Sequence, residues 1–357
     1  MYLERLETYG FRNLRDGTVA FDPGINLITG LNGQGKTNLI EAVYCACLSK
    51  SFRTRQLEEC AAYGSRGFRV LCSVLGGVLL DLVETRFSDG EKRLLLNGSE
   101  ADVTRIIERA PVLCVTAEHF GIVSGGPDPR RKFFDGLLAL FQPVYLTALA
   151  RYRRTLRQKS AVLHRGKVRM EELETWNRAL LDGAQELVER RAAFIAQFSA
   201  GIPTDRFSGA PLAVVYHPSL PLELLREPEA AEKLLRERAQ REIESGRCLY
   251  GPHLDRYEIT LDGHPVRKFG SSGQKRSVLF TFYLNALHLF MQIRGAFPIV
   301  LVDDADMELD RSRILTFVEA LSEASQIFLT TSKPELFEGV LHPHRRLRVC
   351  AGEVSPG

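Results

Sequence analysis

The sequence predicts an α/β fold interrupted by a helical insert, and three observations carry that prediction. A strand pattern, Ile25–Thr29, runs into the glycine-rich run "GLNGQGKT" at 30–37, and a helical pattern, "TNLIEAVYCACLSK", leaves it. A second apolar run, "PIVLVDD", ends in Asp303 and Asp304. Between these segments the periodicity turns helical near residue 120 and returns to α/β near 248. The expected organisation is a discontinuous α/β head, 1–119 and 248–357, with a helical arm over 120–247.

The elements follow in order. "YLERLETYGF" and "VAFDPGINLITG" read as strands, and "FRVLCSVLGGVLLDLVETRF" with "KRLLLNG" as a meander with glycine turns. "APVLCVTAEH" reads as a short buried strand. In the insert, Leu149, Tyr152 and Leu156 recur at helical spacing, as do Leu180, Ala184 and Leu187. That predicts two or three long helices, far too few for an extended coiled-coil arm. After "GPHLDRYEITLDG" the pattern reads helix "QKRSVLFTFYLNALHLFMQI", strand "PIVLVDD", helix "DRSRILTFVEALSE" and strand "QIFLTT".

Composition narrows the class. The 357 residues are 45% hydrophobic and 25% charged, the profile of a soluble protein with a sizeable core. No apolar run is long enough for a transmembrane helix, and the start reads as a strand, not a signal peptide. The seven cysteines are scattered without a CxxC pair. Buried thiols in a reducing cytoplasm are the expectation, without a structural zinc. A net charge of +3 does not announce a nucleic-acid partner. The basic residues nevertheless cluster over 130–169, at Arg130, Arg131, Lys132, Arg151, Arg153, Arg154, Arg157, Lys159, Arg165, Lys167 and Arg169. Such rows neutralise backbone phosphates without reading bases; the ordinary alternative is a solvated helix face.

"GLNGQGKT" has the GxxxxGK[ST] spacing at Gly30, Gly35, Lys36 and Thr37. Glycines let the backbone curl so that its N–H groups meet phosphate oxygens at a helix N-terminus. Lys36 then reaches the β- and γ-phosphates of ATP and the Thr37 hydroxyl holds Mg²⁺. The binding set is Gly30, Leu31, Asn32, Gly33, Gln34, Gly35, Lys36, Thr37 and Asn38, with Arg12 and Asn13 as further candidates. Arg12 and Arg53 are equally readable as solvated surface groups. Asp303 ends a buried strand where ligands of open sheets bind, so it is read as the Mg²⁺ partner, and Asp304 as the group that polarises the attacking water. Lys36, Asp303 and Asp304 form the catalytic set. In "FGSSGQKRS", Ser271 is a helix cap whose loop amides form an anion site; a capped helix without a ligand is the plainer reading.

The order of phosphate loop, insert, Ser-Gly-Gln loop, Asp-Asp strand and "ELD" is that of ABC-type ATPases. The motifs "YGFRNL", "GLNGQGKTNLIEAVY", "KSFR", "SGGPDPRRKFFD", "GPHLDRYEI" and "FGSSGQKR" resemble the RecF family of the SMC/ABC group along nearly the whole chain. The resemblance implies an ABC/SMC-like P-loop ATPase head with an inserted helical arm subdomain. It implies a homodimer formed with ATP on double-stranded DNA, slow DNA-dependent hydrolysis, and work with RecO and RecR in loading RecA at gaps. By the same resemblance, Ser271, Ser272, Gly273 and Gln274 are a signature loop acting in trans, and Asp310 is the D-loop aspartate. The loop departs from LSGGQ at Gly270 and Ser272. Asp304 stands where many such ATPases place Glu. Thr330, Thr331 and Ser332 occupy the region of the transporter switch histidine, and Glu118 is the stand-in for a missing Q-loop Gln near the metal. His253 reads as well as a satisfied turn histidine as a functional one. The alternative reading is an SMC-like structural DNA clamp, against which the short insert argues. A transporter subunit lacks its switch His here, and a small-molecule kinase leaves "GSSGQ" and "ELD" unexplained.

Overall fold

The computed structural model of the chain describes residues 1–165, 167–304, 319, 326–339, 343 and 345–357. The chain divides into two compact units, Met1–His119 with Phe280–Gly357, and Phe120–Leu279.

Strands β1 (Tyr2–Tyr9) and β2 (Gly17–Ala20) are followed by β3 (Gly24–Thr29), the phosphate loop and helix α1 (Lys36–Leu48). Next come β4 (Gly67–Gly76), β5 (Leu79–Ser88), β6 (Glu91–Leu96), β7 (Ser99–Glu100), α2 (Val103–Arg109) and β8 (Val112–Val115). The second unit carries α3 (Gly121–Ser124), α4 (Pro127–Phe141), α5 (Tyr145–His164), α6 (Met170–Ala200), β9 (Leu212–His217), α7 (Leu222–Leu225), α8 (Pro228–Glu237) and α9 (Ala239–Ser245). It continues through β10 (Arg256–Leu261), β11 (His264–Pro265) and α10 (Val266–Phe269) into α11 (Ser272–Arg294), whose C-terminal part belongs to the first unit. Strands β12 (Ile299–Val302), β13 (Gln326–Thr331), β14 (Arg345–Cys350) and β15 (Glu353–Pro356) complete the first unit.

Two sheets build the first unit. One is antiparallel, in the order β2-β1-β4-β5-β6-β7; the other runs β15-β14-β3-β13-β12-β8 and is parallel except at β15. The β12 residues Ile299–Val302 are all buried, as expected for parallel strands covered on both faces. Helix α1 is apolar nearly all round, so it belongs inside: Leu39, Ile40, Ala42, Val43, Cys45, Ala46 and Cys47 are buried. One core joins α1 to Leu3, Leu6, Val70 and Val83 of the antiparallel sheet and to Ile28, Leu301 and Phe328 of the parallel sheet. The buried amide of Gln326 ties β13 to β1, accepting from Leu3 N at 2.7 Å and donating to Leu3 O at 2.8 Å. Six cysteines are buried and Cys350 is exposed, as free thiols. No described helix is long and apolar enough to cross a membrane.

The second unit is organised around a buried cation. Arg191 of α6 donates to Asp135 (Nε, 3.1 Å), to Asp255 Oδ2 (2.7 Å) and to the Pro252 carbonyl (2.7 Å). Tyr145 and Tyr216 donate to the same two carboxylates. A charge this deep is tolerated only when paired and fully hydrogen-bonded. The motifs "KFFD" and "GPHLD" thus meet on Arg191. His253 is satisfied within the same turn: Nε2 bonds the Cys248 carbonyl at 3.1 Å and Nδ1 the Tyr152 hydroxyl at 2.8 Å.

The boundary expected at 248 moves. The second unit extends to Leu279, because β10 pairs with β9 of the insert over Arg256–Leu261 and Leu212–His217. The insert is therefore mixed, with a small antiparallel sheet β11-β10-β9, where only helices were expected. Strand pairing between segments separated by three helices leaves no local signature.

Candidate functional site

The parallel sheet explains why the site assembles. β13 lies between β3 and β12, so the phosphate loop after Thr29, Thr330 near the end of β13 and Asp303 after Val302 share one end of three adjacent strands. This is the C-terminal edge where open α/β sheets place ligands. A cavity of about 630 Å³ opens there, within the range of small-molecule sites. Arg12, Asn13, Asn32, Gly33, Gly35, Lys36, Thr37, Asn38, Arg53, Glu59, Ala61, Tyr63 and Asp304 line it.

The loop itself needs its glycines. Gly30 sits at φ +152°, and a Cβ there would lie 2.4 Å from the Val349 carbonyl oxygen. Gly35, the N-cap of α1, sits at φ +116°, and no side chain caps the helix. The first amides of α1 are left for an anion. Lys36 Nζ rests on the carbonyls of Gly30 (2.8 Å) and Leu31 (3.1 Å).

Thr37 donates its hydroxyl to Asp303 Oδ1 at 3.0 Å, and Thr330 donates to the same oxygen at 2.9 Å. The Thr330 oxygen also accepts from Asp304 N at 2.7 Å, which anchors a left-handed turn at Asp304, φ +49°. Burial, helped by the neighbouring Asp304 charge, pushes the Asp303 carboxyl up to about 6. A half-buried carboxylate beside a second one and a hydroxyl is a hard-oxygen set that a divalent cation would neutralise, so the residues fit Mg²⁺. Among the described residues no group of three or more His, Cys, Asp or Glu could hold a metal by itself. Mg²⁺ characteristically keeps waters and ligand phosphates for its remaining positions.

The structure redistributes several expected site residues. Gly30, Leu31 and Gln34 do not line the cavity. The Gln34 side chain accepts from Ala351 N at 2.6 Å and its carbonyl from Gly352 N at 2.9 Å, which pins the loop to the β14–β15 turn. Asn13 and Asn38 meet at 2.6 Å on the cavity wall. Glu118 is exposed on the turn Ala117–Phe120 and absent from the lining. Its neighbour His119 is half-buried: the Tyr283 hydroxyl meets Nδ1 at 2.5 Å, and desolvation pushes the imidazole down to about 4. Thr331 accepts from Lys333 N at 2.9 Å, leaving Thr330 as the hydroxyl that touches Asp303.

Ser271 and Gln274 close a capping box. Ser271 Oγ accepts from Gln274 N at 3.2 Å, and Gln274 Oε1 accepts from Ser271 N at 2.9 Å. Ser271, Ser272 and Gln274 are exposed. Asp310 and the helix expected over 310–323 lie outside the described residues, apart from Glu319.

The basic cluster is corrected most. Lys159 is fully buried, its Nζ 2.6 Å from the equally buried Glu242, so it cannot meet DNA. Arg130 braces the carbonyls of Ile122 (2.8 Å) and Tyr257 (3.2 Å), and Arg131 holds the Asp255 carbonyl (2.7 Å) and the Asp128 carboxylate. Arg151 and Arg153 are exposed but paired with Glu186 and Asp135 at 2.5 and 3.7 Å. Arg154 and Arg157 are exposed with no ion-pair partner among the described residues.

Sequence reasoning missed Glu41. It lies one helical turn after Thr37, inside the apolar run "NLIEAV", and is fully buried. Arg12 and Arg53 both reach it. A lone acid in an otherwise apolar helix was the available signal.

Residues 2–352 match the family described as RecF/RecN/SMC N terminal domain. The DNA replication and repair protein RecF of Moorella thermoacetica is 32% identical over 93% of this chain and 90% of its own length. That of Desulforudis audaxviator is 32% identical over 99% of both chains. A solved structure of the recombination mediator protein RecF with ATP, in the RecFOR pathway, superposes with TM-score 0.90 at 24% identity, covering 100% of this chain and 97% of that one. An Smc head domain from Pyrococcus furiosus gives TM-score 0.57 at 16% identity over 99% and 95% of the two chains. The head with its insert is thus an SMC-type fold, and on the family match and the relatives' identity along the chain, this protein belongs to the RecF family.

Proposed function

We propose that the chain is an ATP-dependent DNA-binding protein of recombinational repair, a recombination mediator that uses slow ATP hydrolysis as a switch. The observation that carries this reading is the uncapped phosphate-loop helix facing a cavity whose wall includes Lys36, Thr37 and Asp304. In this reading the cavity is one half of a shared site. A second copy supplies Ser271, Ser272, Gly273 and Gln274 in trans, closing ATP between two molecules. The solved RecF structure with ATP supports the ligand, and that protein's RecFOR pathway supports a mediator role. The dimer works with RecO and RecR toward RecA loading at gaps. Double-stranded DNA is the polyanion that the dimer holds.

Each residue has a role in this reading. Lys36 leaves the loop carbonyls for the β- and γ-phosphates. Thr37 and Asp303 hold Mg²⁺, which supplies charge neutralisation at the phosphates when bound. Asp304 orients the attacking water. Its side chain is one methylene shorter than the glutamate of many ABC-type ATPases, consistent with slow turnover.

Molecular mass in solution tests the dimer. With saturating ATP and duplex DNA, wild type is expected to dimerise, while Lys36→Arg and Ser271→Arg stay monomeric. A wild-type chain that remains monomeric under these conditions refutes the trans site.

A further inference from the structure

We infer that Glu41 is a positioning residue for nucleotide binding: it holds Arg12 and Arg53 at the cavity wall without touching the cavity itself. The inference rests on the nucleotide reading of that cavity.

The carboxylate of Glu41 is fully excluded from solvent. An unpaired charge there is prohibitive, so its partners explain its presence. Arg12 grips it with Nε (3.0 Å) and Nη2 (2.7 Å), and Arg53 Nη1 approaches at 3.4 Å. Ser51 donates its hydroxyl, and Cys60 Sγ lies at 3.8 Å. These donors come from the turn after β1, the segment after α1 and the turn before β4. One acid on the phosphate-loop helix therefore gathers three separate stretches of chain.

Both charged partners of Glu41 line the cavity, and Glu41 does not. One carboxylate faces two guanidinium groups, so the three-residue cluster itself carries net positive charge beside an anion site. The two arginines are held differently. Arg12 commits its third nitrogen to the Glu59 carbonyl at 2.6 Å, and its backbone sits at φ +52°, a costly conformation for arginine that this grip maintains. Arg53 is more exposed, and its shorter bond goes to Asn38 Oδ1 at 2.7 Å. Ser51 couples them further, because its oxygen accepts from Arg53 N at 2.9 Å while its hydrogen goes to Glu41. A planar, forked guanidinium suits this geometry and an ammonium does not.

The test uses the full chain with Mg²⁺ and ATP. Glu41→Gln is expected to raise Kd and KM for ATP about tenfold while kcat at saturating ATP falls less than threefold. In a double-mutant cycle with Arg53→Gln, the combined loss is expected to fall well short of the product of the single losses. Arg12→Lys covers the case in which Glu41→Gln does not fold; it keeps the charge, loses the fork, and is expected to weaken ATP similarly when measured below its thermal midpoint. ATP affinity within twofold of wild type in Glu41→Gln, or in Arg12→Lys, overturns the assignment, as does full multiplicativity in the cycle. Absence of ATP binding by wild type instead overturns the nucleotide reading, and this inference with it.

Discussion

The Thr37 hydroxyl donates to Asp303 Oδ1 at 3.0 Å across 266 positions of chain, and Thr330 donates to the same oxygen from the strand between them. The contact makes the phosphate loop and the aspartate strand one site. It also concentrates negative charge, because Asp304 adjoins Asp303 in a half-buried place.

Asp303→Asn should therefore separate stability from function. A carboxyl raised to about 6 by burial binds protons more tightly folded than unfolded, so its charge destabilises the metal-free protein at neutral pH. The variant is expected to gain about 1–2 kcal/mol at pH 7.5 without metal, read by urea midpoint. Its ATP turnover should fall on the order of a hundredfold. A destabilised variant contradicts the charge argument; unchanged turnover contradicts the metal role.

His119 predicts a pH dependence of the opposite kind. The unfolded imidazole takes a proton near 6.5, whereas the desolvated one in the fold resists until about 4. Between those values the unfolded state binds more protons, so stability falls as pH drops from 6.5 toward 4 and is fully present above 6.5. The urea midpoint of His119→Gln, whose amide still meets Tyr283, should vary less over that window than wild type.

Gly251 opens the "GPHLD" turn at φ +133°, and a Cβ there would stand 2.4 Å from the Tyr152 hydroxyl. That hydroxyl is engaged with His253 and cannot retreat freely. Gly251→Ala is expected to cost about 2–4 kcal/mol, seen as a lowered thermal midpoint. ATP affinity, measured below that midpoint, should change less than twofold.

The two kinds of basic residue in the arm call for different outcomes in DNA binding. The double variant Arg154→Glu, Arg157→Glu is expected to weaken duplex binding and lower the salt slope by about two charges. Lys159→Met, which removes half of a buried pair, should leave the slope alone and cost about 3–5 kcal/mol by stranding Glu242. Equal effects on the slope would mean that the arm does not carry the contact.

Ser271 separates capping from assembly. Ser271→Ala should cost about 1 kcal/mol through the lost capping box. Ser271→Asp keeps a cap acceptor, so its stability should match wild type, yet its charge would face the partner's bound phosphates. Sedimentation with ATP is expected to show Ser271→Asp monomeric at concentrations where wild type dimerises.

What could be read without coordinates was local or strictly spaced. The loop at 30–37 announces itself because only glycines tolerate its backbone, and Lys36 and Thr37 must follow at fixed distance. Ser271 was legible as a cap because a capping box spans four residues, Ser271 to Gln274. Asp303 was legible as the end of an apolar run, the pattern of a buried parallel strand.

The rest depended on what the fold brings together. Nothing in the spacing of "KFFD", "VERR" and "GPHLD" says that Arg191 will close on Asp135 and Asp255, and β10 pairs with β9 through hydrogen bonds that leave no periodic trace. Lys159 looked like a surface cation in a basic row, and its burial against Glu242 follows from helix packing. The order of residues sets the chemistry available at 30–37 and 303, since backbone conformation and motif spacing are local properties. Folding settles which charges face the cavity and which hold the molecule together, because a charge takes its role from its partners and its exposure, and both are set by distant segments.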